Sequence, residues 1–136
     1  MITFKRVLQG ATTAVVFGIG LSQMAQAEDD VRLRHLVDAA ERAVQFTAGR
    51  SRSDLDTDEM LTLALTKLVE IVGEAAKQVS AETQDAYPAV PWSAAARMRD
   101  RLVHHYFDID LDVLWSTVQD DLPALLALVP PPEPAD

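Results

Sequence analysis

Arg99, His104 and Tyr106, spaced as Arg-x-x-x-x-His-x-Tyr, are the residues of this chain best suited to do chemistry. They fall within Ala96–Asp110, a run that also carries Arg97, Arg101 and His105 in an otherwise acidic protein. A guanidinium keeps its charge at any physiological pH, and imidazole exchanges protons near neutrality. Together they suit cleavage of an RNA phosphodiester without a metal. The histidine moves protons to and from the 2′-hydroxyl or the leaving oxygen, while the arginine stabilises charge growing on phosphorus. The expected products are a 2′,3′-cyclic phosphate and a free 5′-hydroxyl, and DNA, which lacks the 2′-hydroxyl, should not be cut.

Helical geometry limits how these groups can meet. At roughly 100° per residue, Arg99 projects near the centre of an apolar arc formed with Ala95, Leu102, Val103 and Tyr106. A guanidinium buried there requires a carboxylate or phosphate partner, so Arg99 marks either a structural ion pair or a site. His104 lies roughly 140° away, on the polar side with Arg97, Asp100 and Arg101. Either the helix distorts at its end, or a two-fold axis brings the histidine of one chain to the arginine of another. Arg97 and Arg101, one turn apart, are candidates to guide an RNA backbone or solvated residues balancing nearby acids. His105 reads as a packing or hydrogen-bonding residue.

Composition narrows the possibilities. The 136 residues suit one domain with short tails, and 12 basic against 21 acidic residues give a formal charge of −9. Most of such a surface repels polyanions, so nucleic acid must be held by a local cationic spot. The chain has no cysteine, which excludes disulfides and thiolate chemistry. His35, His104 and His105 show no ligand spacing, and neither a metal nor another cofactor is expected.

Four helices should position these groups. The first runs from Asp29 to Ala48, with Val31, Leu33, Leu36, Val37, Ala40, Val44 and Phe46 on its apolar face and Gly49 as a stop. Arg50–Leu55 reads as a loop. Asp56 and Glu59 form a capping box for a second helix reaching about Gln84, with Leu61, Leu65, Leu68, Val72, Ala75 and Val79 in its core stripe. Glu70 and Glu74 lie off that stripe beside Lys67 and Lys77, as a surface salt-bridge ladder or, alternatively, as partners for arginines across a dimer interface. Pro91 starts the third helix, carrying Trp92, Met98, Leu102 and Tyr106. Asp110 caps the fourth, whose core is Leu111, Leu114, Trp115, Val118, Leu122, Leu125 and Leu126, with Pro123 kinking or ending it. Trp92 and Trp115 are expected as core anchors. No stretch reads as a strand, so the expected fold is an all-α, up-and-down four-helix bundle.

Residues 1–27 stand apart. Lys5-Arg6, an apolar stretch from Val7 to Leu21 and Ala25-Gln26-Ala27 read as a secretory leader, and Met24 offers an alternative start directly before the first amphipathic helix. Without Lys5 and Arg6 the rest of the chain holds 10 basic residues against 21 acidic, or −11. The expected organisation is a leader-like extension at 1–27, a helical domain at 28–128 and a Pro-rich disordered tail at 129–136. The stretch is too short and too interrupted by glycine for a stable membrane span. RNA chemistry places the mature domain in the cytoplasm, off the membrane, with export the alternative if the leader is genuine.

The segment Pro91–Pro123, containing Arg-Met-Arg-Asp-Arg-Leu-Val-His-His-Tyr-Phe-Asp-Ile-Asp-Leu-Asp-Val-Leu-Trp, resembles the HepT-like branch of the HEPN ribonuclease toxins. Glu70–Ala76 and Val31–Leu36 resemble it too, and the likeness spans about residues 29–125. It implies a dimeric helical bundle, the toxin of a toxin–antitoxin pair, with a cleft built by both copies. Arg99 and His104 would be the catalytic pair and Asp100 would orient the site. Tyr106 would accept AMP from ATP through a minimal nucleotidyltransferase antitoxin of the MntA type. The alternative is a non-catalytic binding subunit of a nucleotidyltransferase complex.

Overall fold

The computed structural model describes residues 12–105 and 108–134. Tyr106, Phe107 and residues 1–11, on which the expected AMP acceptor and the charged start of the leader-like pattern fall, lie outside them. The described elements are α1 (Thr12–Phe46), α2 (Asp54–Thr57), α3 (Glu59–Gln78), α4 (Ala81–Ala86), α5 (Trp92–Ala96), α6 (Met98–Leu102), β1 (Val103–His105), β2 (Asp108–Ile109), α7 (Leu111–Ser116) and α8 (Leu122–Leu128), with a π-helical turn at Thr117–Asp121 between the last two. The protein is all-α apart from one short strand pair. α1 packs on α3, α3 on α5 and α6, α6 on α7, and the π turn and α8 return to α1. Four helical columns therefore surround one core.

Leu36, Leu65, Leu102, Leu114 and Leu122 are fully buried in that core, each contributing about 1.5–3 kcal/mol of transfer free energy. The expected stripes are largely the observed ones. The ends of the α1 stripe differ, since Val31 and Phe46 are exposed while Ala39 and Ala43 are buried in their place. Alanines on that face let α1 lie close against its neighbours. Trp92 is buried, with its indole N–H donating to the Tyr87 carbonyl at 3.0 Å, and Trp115 is partly buried against the core.

Helix α1 begins earlier than the sequence pattern suggests, already at Thr12. Gln23 to Glu28 on it are all exposed, and the first buried residue along this stretch is Asp29. Among the described residues, no helix is long and apolar enough to cross a membrane.

Three helix boundaries also depart from expectation. Asp56 lies within the short α2, and the cap of α3 is Asp58, whose carboxylate accepts the Leu61 N–H at 3.0 Å. The second long helix stops at Gln78, and Ser80 caps the separate α4 by accepting the Thr83 N–H. The break is held by Asp29 of α1. Its carboxylate accepts the Ser80 N–H at 2.9 Å, the Ser80 hydroxyl at 2.6 Å and the Thr83 hydroxyl at 2.6 Å. At the other end, Pro123 has no N–H to offer the Gln119 carbonyl, and the helix widens into the π turn just before it. Val129 packs into the core, and the Glu133 carbonyl accepts from Arg34 at 3.0 Å.

Gly73 sets the distance between α3 and α5. A Cβ there would stand 3.2 Å from the Ala96 carbonyl oxygen and 3.3 Å from that of Ala95. These are backbone atoms that cannot swing aside. Gly73→Val should therefore cost about 1–3 kcal/mol by overpacking, measured by urea denaturation.

Burial of Asp29 opposes its ionisation, but the bonds from Ser80 and Thr83 outweigh this and hold its carboxyl below the usual carboxylate range. A folded-state value below the unfolded one stabilises above the unfolded pKa, and the benefit disappears as pH falls through the folded one. Asp29→Ala should lose about 1–3 kcal/mol at pH 7. The gap to the unaltered protein should narrow on acidification, read as urea midpoints across pH 7 to 3.

Candidate active site

The expected third helix is three structures in succession. α5 ends at Ala96, where Arg97 adopts φ −107° and ψ 9° and turns the chain before α6 begins. This rotation points Met98 and Leu102, one helical turn apart, into the core. Arg99 consequently lies exposed rather than at the centre of an apolar arc. Burying a guanidinium without a partner costs several kcal/mol, more than the one or two helical hydrogen bonds interrupted at Arg97, at about 1 kcal/mol each.

α6 ends at Leu102. Val103 turns extended (φ −111°, ψ 110°), and β1 pairs antiparallel with β2, Val103 opposite Ile109 and His105 opposite Asp108. Two steps along β1 correspond to one along β2, so His104 is the extra residue of a β-bulge. The absence of strands expected from the sequence is thus corrected at this one place. Val103 and the aromatic residues after it favour extended backbone, a signal diluted by the helical residues before them. The base of the segment is closed by the Asp110 N–H donating to the Leu102 carbonyl at 2.7 Å. The Asp110 side chain, as expected, caps the next helix by accepting the Val113 N–H at 3.1 Å.

Ending the helix solves the convergence problem within one chain. Arg99, Val103, His104 and His105 line a single open cleft of about 310 Å³. Both histidines are exposed, and neither side chain hydrogen-bonds a described residue. His105 therefore does not have the packing role expected of it. Arg101 pairs with Asp121 at 2.9 Å and does not line the cleft. Arg97 and Asp100 are exposed outside it. Among the described residues, no carboxylate stands within ion-pair distance of Arg97 or Arg99. Lys67–Glu70 at 3.7 Å and Lys77–Glu74 at 3.5 Å form the surface ladder on α3. No cluster of metal-ligating residues occurs among the described residues.

The profile of the family described as "Ribonuclease HepT-like" matches residues 36–130, which take in this cleft and most of the bundle. The chain belongs to the HepT-like ribonuclease family. It is 38% identical over 93 residues to a Thermococcus cleftensis protein named "Probable ribonuclease HepT", covering 68% of this chain and 84% of that one. It is 34% identical over 93 residues to "Putative RNase TTE0752" of Caldanaerobacter subterraneus subsp. tengcongensis, covering 68% and 83%. No solved structure matches the chain. Membership of a ribonuclease family points to RNA as the substrate class.

An exposed arginine without a carboxylate partner contributes little to folding. Arg99→Ala should leave the stability of the protein within about 0.5 kcal/mol, measured by urea denaturation, where loss of a buried ion pair would cost about 3–5 kcal/mol.

Proposed function

We propose that this HepT-like protein is a metal-independent endoribonuclease and the toxin of a toxin–antitoxin pair, its catalytic unit spanning residues 28–128. The observation that carries this reading is the common cleft of Arg99 and His104, both solvent-facing. The His104 imidazole takes the proton of the 2′-hydroxyl as that oxygen attacks phosphorus, and Arg99 stabilises the charge gathering on the phosphoryl oxygens. Arg97 and Arg101 guide the flanking backbone, Arg101 exchanging its contact with Asp121 for phosphate. Asp100, directly after Arg99 in the chain, orients the site once RNA is bound. The relatives named as ribonucleases support the reaction class.

Silencing follows from the chain order. Tyr106 is the residue after His105, and AMP transferred to its hydroxyl by an MntA-type nucleotidyltransferase brings bulk and phosphate charge beside the cationic cleft, which then repels RNA. The active form is a cytoplasmic homodimer in which a second copy's cleft faces the first, extending the cationic track along the RNA.

Purified protein should cleave RNA in excess chelator, leave DNA intact and yield cyclic phosphate ends. His104→Ala should lower the rate by about 10²–10⁴-fold, while Tyr106→Phe should retain cleavage and lose labelling by radioactive ATP in the presence of the partner. Undiminished cleavage by His104→Ala would overturn the assignment.

A further inference from the structure

A second opening borders the strand pair. It is a groove of about 450 Å³, larger than the cleft of about 310 Å³ that holds Arg99 and the histidines. Leu55, Leu63, Ile109 and Leu111 line it together with the carboxylates of Asp56 and Glu59. The two openings share β1 and β2: Val103 lines the cleft, and Ile109, its partner across the pair, lines the groove. Paired strands lie roughly 5 Å apart, so RNA whose phosphate sits at Arg99 has a neighbouring base within reach of the groove.

The groove is built before any ligand arrives. Leu55 is buried, and its carbonyl accepts the Thr62 hydroxyl at 3.1 Å, tying α2 to α3. Arg52 spans the two walls, donating to Asp112 of α7 at 2.6 Å and to Asp56 of α2 at 3.2 Å. Leu63 is 48% exposed, leaving an apolar surface that a flat ring would cover. Single-stranded RNA is read through such splayed bases, by contact with their faces and hydrogen bonds to their edges.

The polar groups decide which base fits. No basic residue is among those lining the groove, so phosphate gains nothing there. Among the described residues, no cation stands within ion-pair distance of Glu59, whose two oxygens only accept hydrogen bonds. Guanine presents N1–H and N2–H side by side, matching the two oxygens of one carboxylate. Adenine and cytosine set one amino group beside a ring acceptor, and uracil flanks its N3–H with two carbonyls.

We propose that this groove is a base subsite selecting guanine beside the scissile bond, with Glu59 accepting from N1–H and N2–H while Leu63 and Leu111 cover the ring; this rests on the ribonuclease reading above. The carboxylates repel the flanking phosphates, turning the base inward as the backbone follows Arg97 and Arg99. In the proposed dimer each chain brings its own groove beside its own strand pair, so two such subsites flank the shared cleft.

The test maps the cut sites of the full-length protein on a transcript of mixed sequence. Cuts beside guanine should exceed those beside adenine by about 5–150-fold, and inosine, which lacks the N2 amino group, should lose most of that advantage. Glu59→Gln, with circular dichroism matching the unaltered protein, should bring the guanine-to-adenine ratio close to 1. A uniform loss at all sites, a ratio unchanged in Glu59→Gln, or an unaltered protein without base preference would overturn the proposal. So would a shift of Leu63→Ser from dimer to monomer in ultracentrifugation with the ratio intact, which would assign the groove to a second copy. Fluorescence anisotropy with 2′-O-methylated oligonucleotides, which cannot be cut, separates the two readings. Guanine-selective binding that Glu59→Gln abolishes, without cleavage of any RNA, would retain the subsite and refute the nuclease; cleavage with indiscriminate binding would do the reverse.

Discussion

One backbone hydrogen bond, from the Asp110 N–H to the Leu102 carbonyl at 2.7 Å, closes the loop on which the site depends. It joins the last residue of α6 to the cap of α7, and the same Asp110 fixes the start of α7 through its side chain. Both flanking helices are anchored in the core, by Leu102 on one side and Leu114 on the other. Val103 to Ile109 is thereby a detour whose two ends are fixed. Its histidines can be exposed without being unplaced, because rigid elements define where the detour leaves and returns.

Electrostatics leave the arginines of the same region uncompensated. Several cations elsewhere on this acidic surface are compensated. Arg50 is held by Asp54 and Asp58, Arg52 by Asp56 and Asp112, and Arg101 by Asp121. Hydrogen bonds from the Ser51 and Leu61 backbone, together with Arg50, keep the Asp54 and Asp58 carboxyls below their usual range. Among the described residues, arginines with no carboxylate within ion-pair distance lie on α1, at Arg32, Arg34 and Arg42, and at or beside the cleft, at Arg97 and Arg99. A polyanion approaching a body of net charge −9 meets repulsion over most of the surface, and Arg97 and Arg99 offset it locally beside the cleft. Added salt screens both effects over about 8–10 Å, so the body's repulsion and the cleft's attraction weaken together.

Much of the bundle was legible in the sequence, because amphipathic stripes record directly which side of a helix faces the core. Leu61 to Val79 and Leu114 to Leu125 are buried where their period of 3.6 puts them, and Asp110 caps its helix. Local signals failed where a distant residue decides. Nothing near Val79 announces that Asp29 will capture Ser80 and Thr83 from about fifty positions away. Nor does the sequence around Ala96 show that Gly73 admits its carbonyl to within 3.2 Å of where a Cβ would be. The spacing of Asp56 to Glu59 suggests a cap at Asp56, but α2 takes up that residue and Asp58 caps α3 instead. The identity of the candidate residues was legible from their spacing; their convergence was not, since an ideal helix through position 106 separates Arg99 from His104.

That separation explains why the site sits on irregular backbone. A continuous helix would divide the arginine and the histidines between opposite faces, and a continuous flat strand would divide the two histidines between opposite sides. Neither periodicity can bring residues 99, 104 and 105 to one cleft. The chain instead takes one turn of helix to place Arg99, ends it at Leu102, and inserts an extra residue in the strand that follows. Each departure forfeits hydrogen bonds at about 0.5–1.5 kcal/mol apiece, a modest cost beside the core contributed by the surrounding leucines. Interrupting both regular structures at adjacent points is therefore what lets a short stretch of sequence gather three cationic or titratable side chains at the surface of a stable bundle.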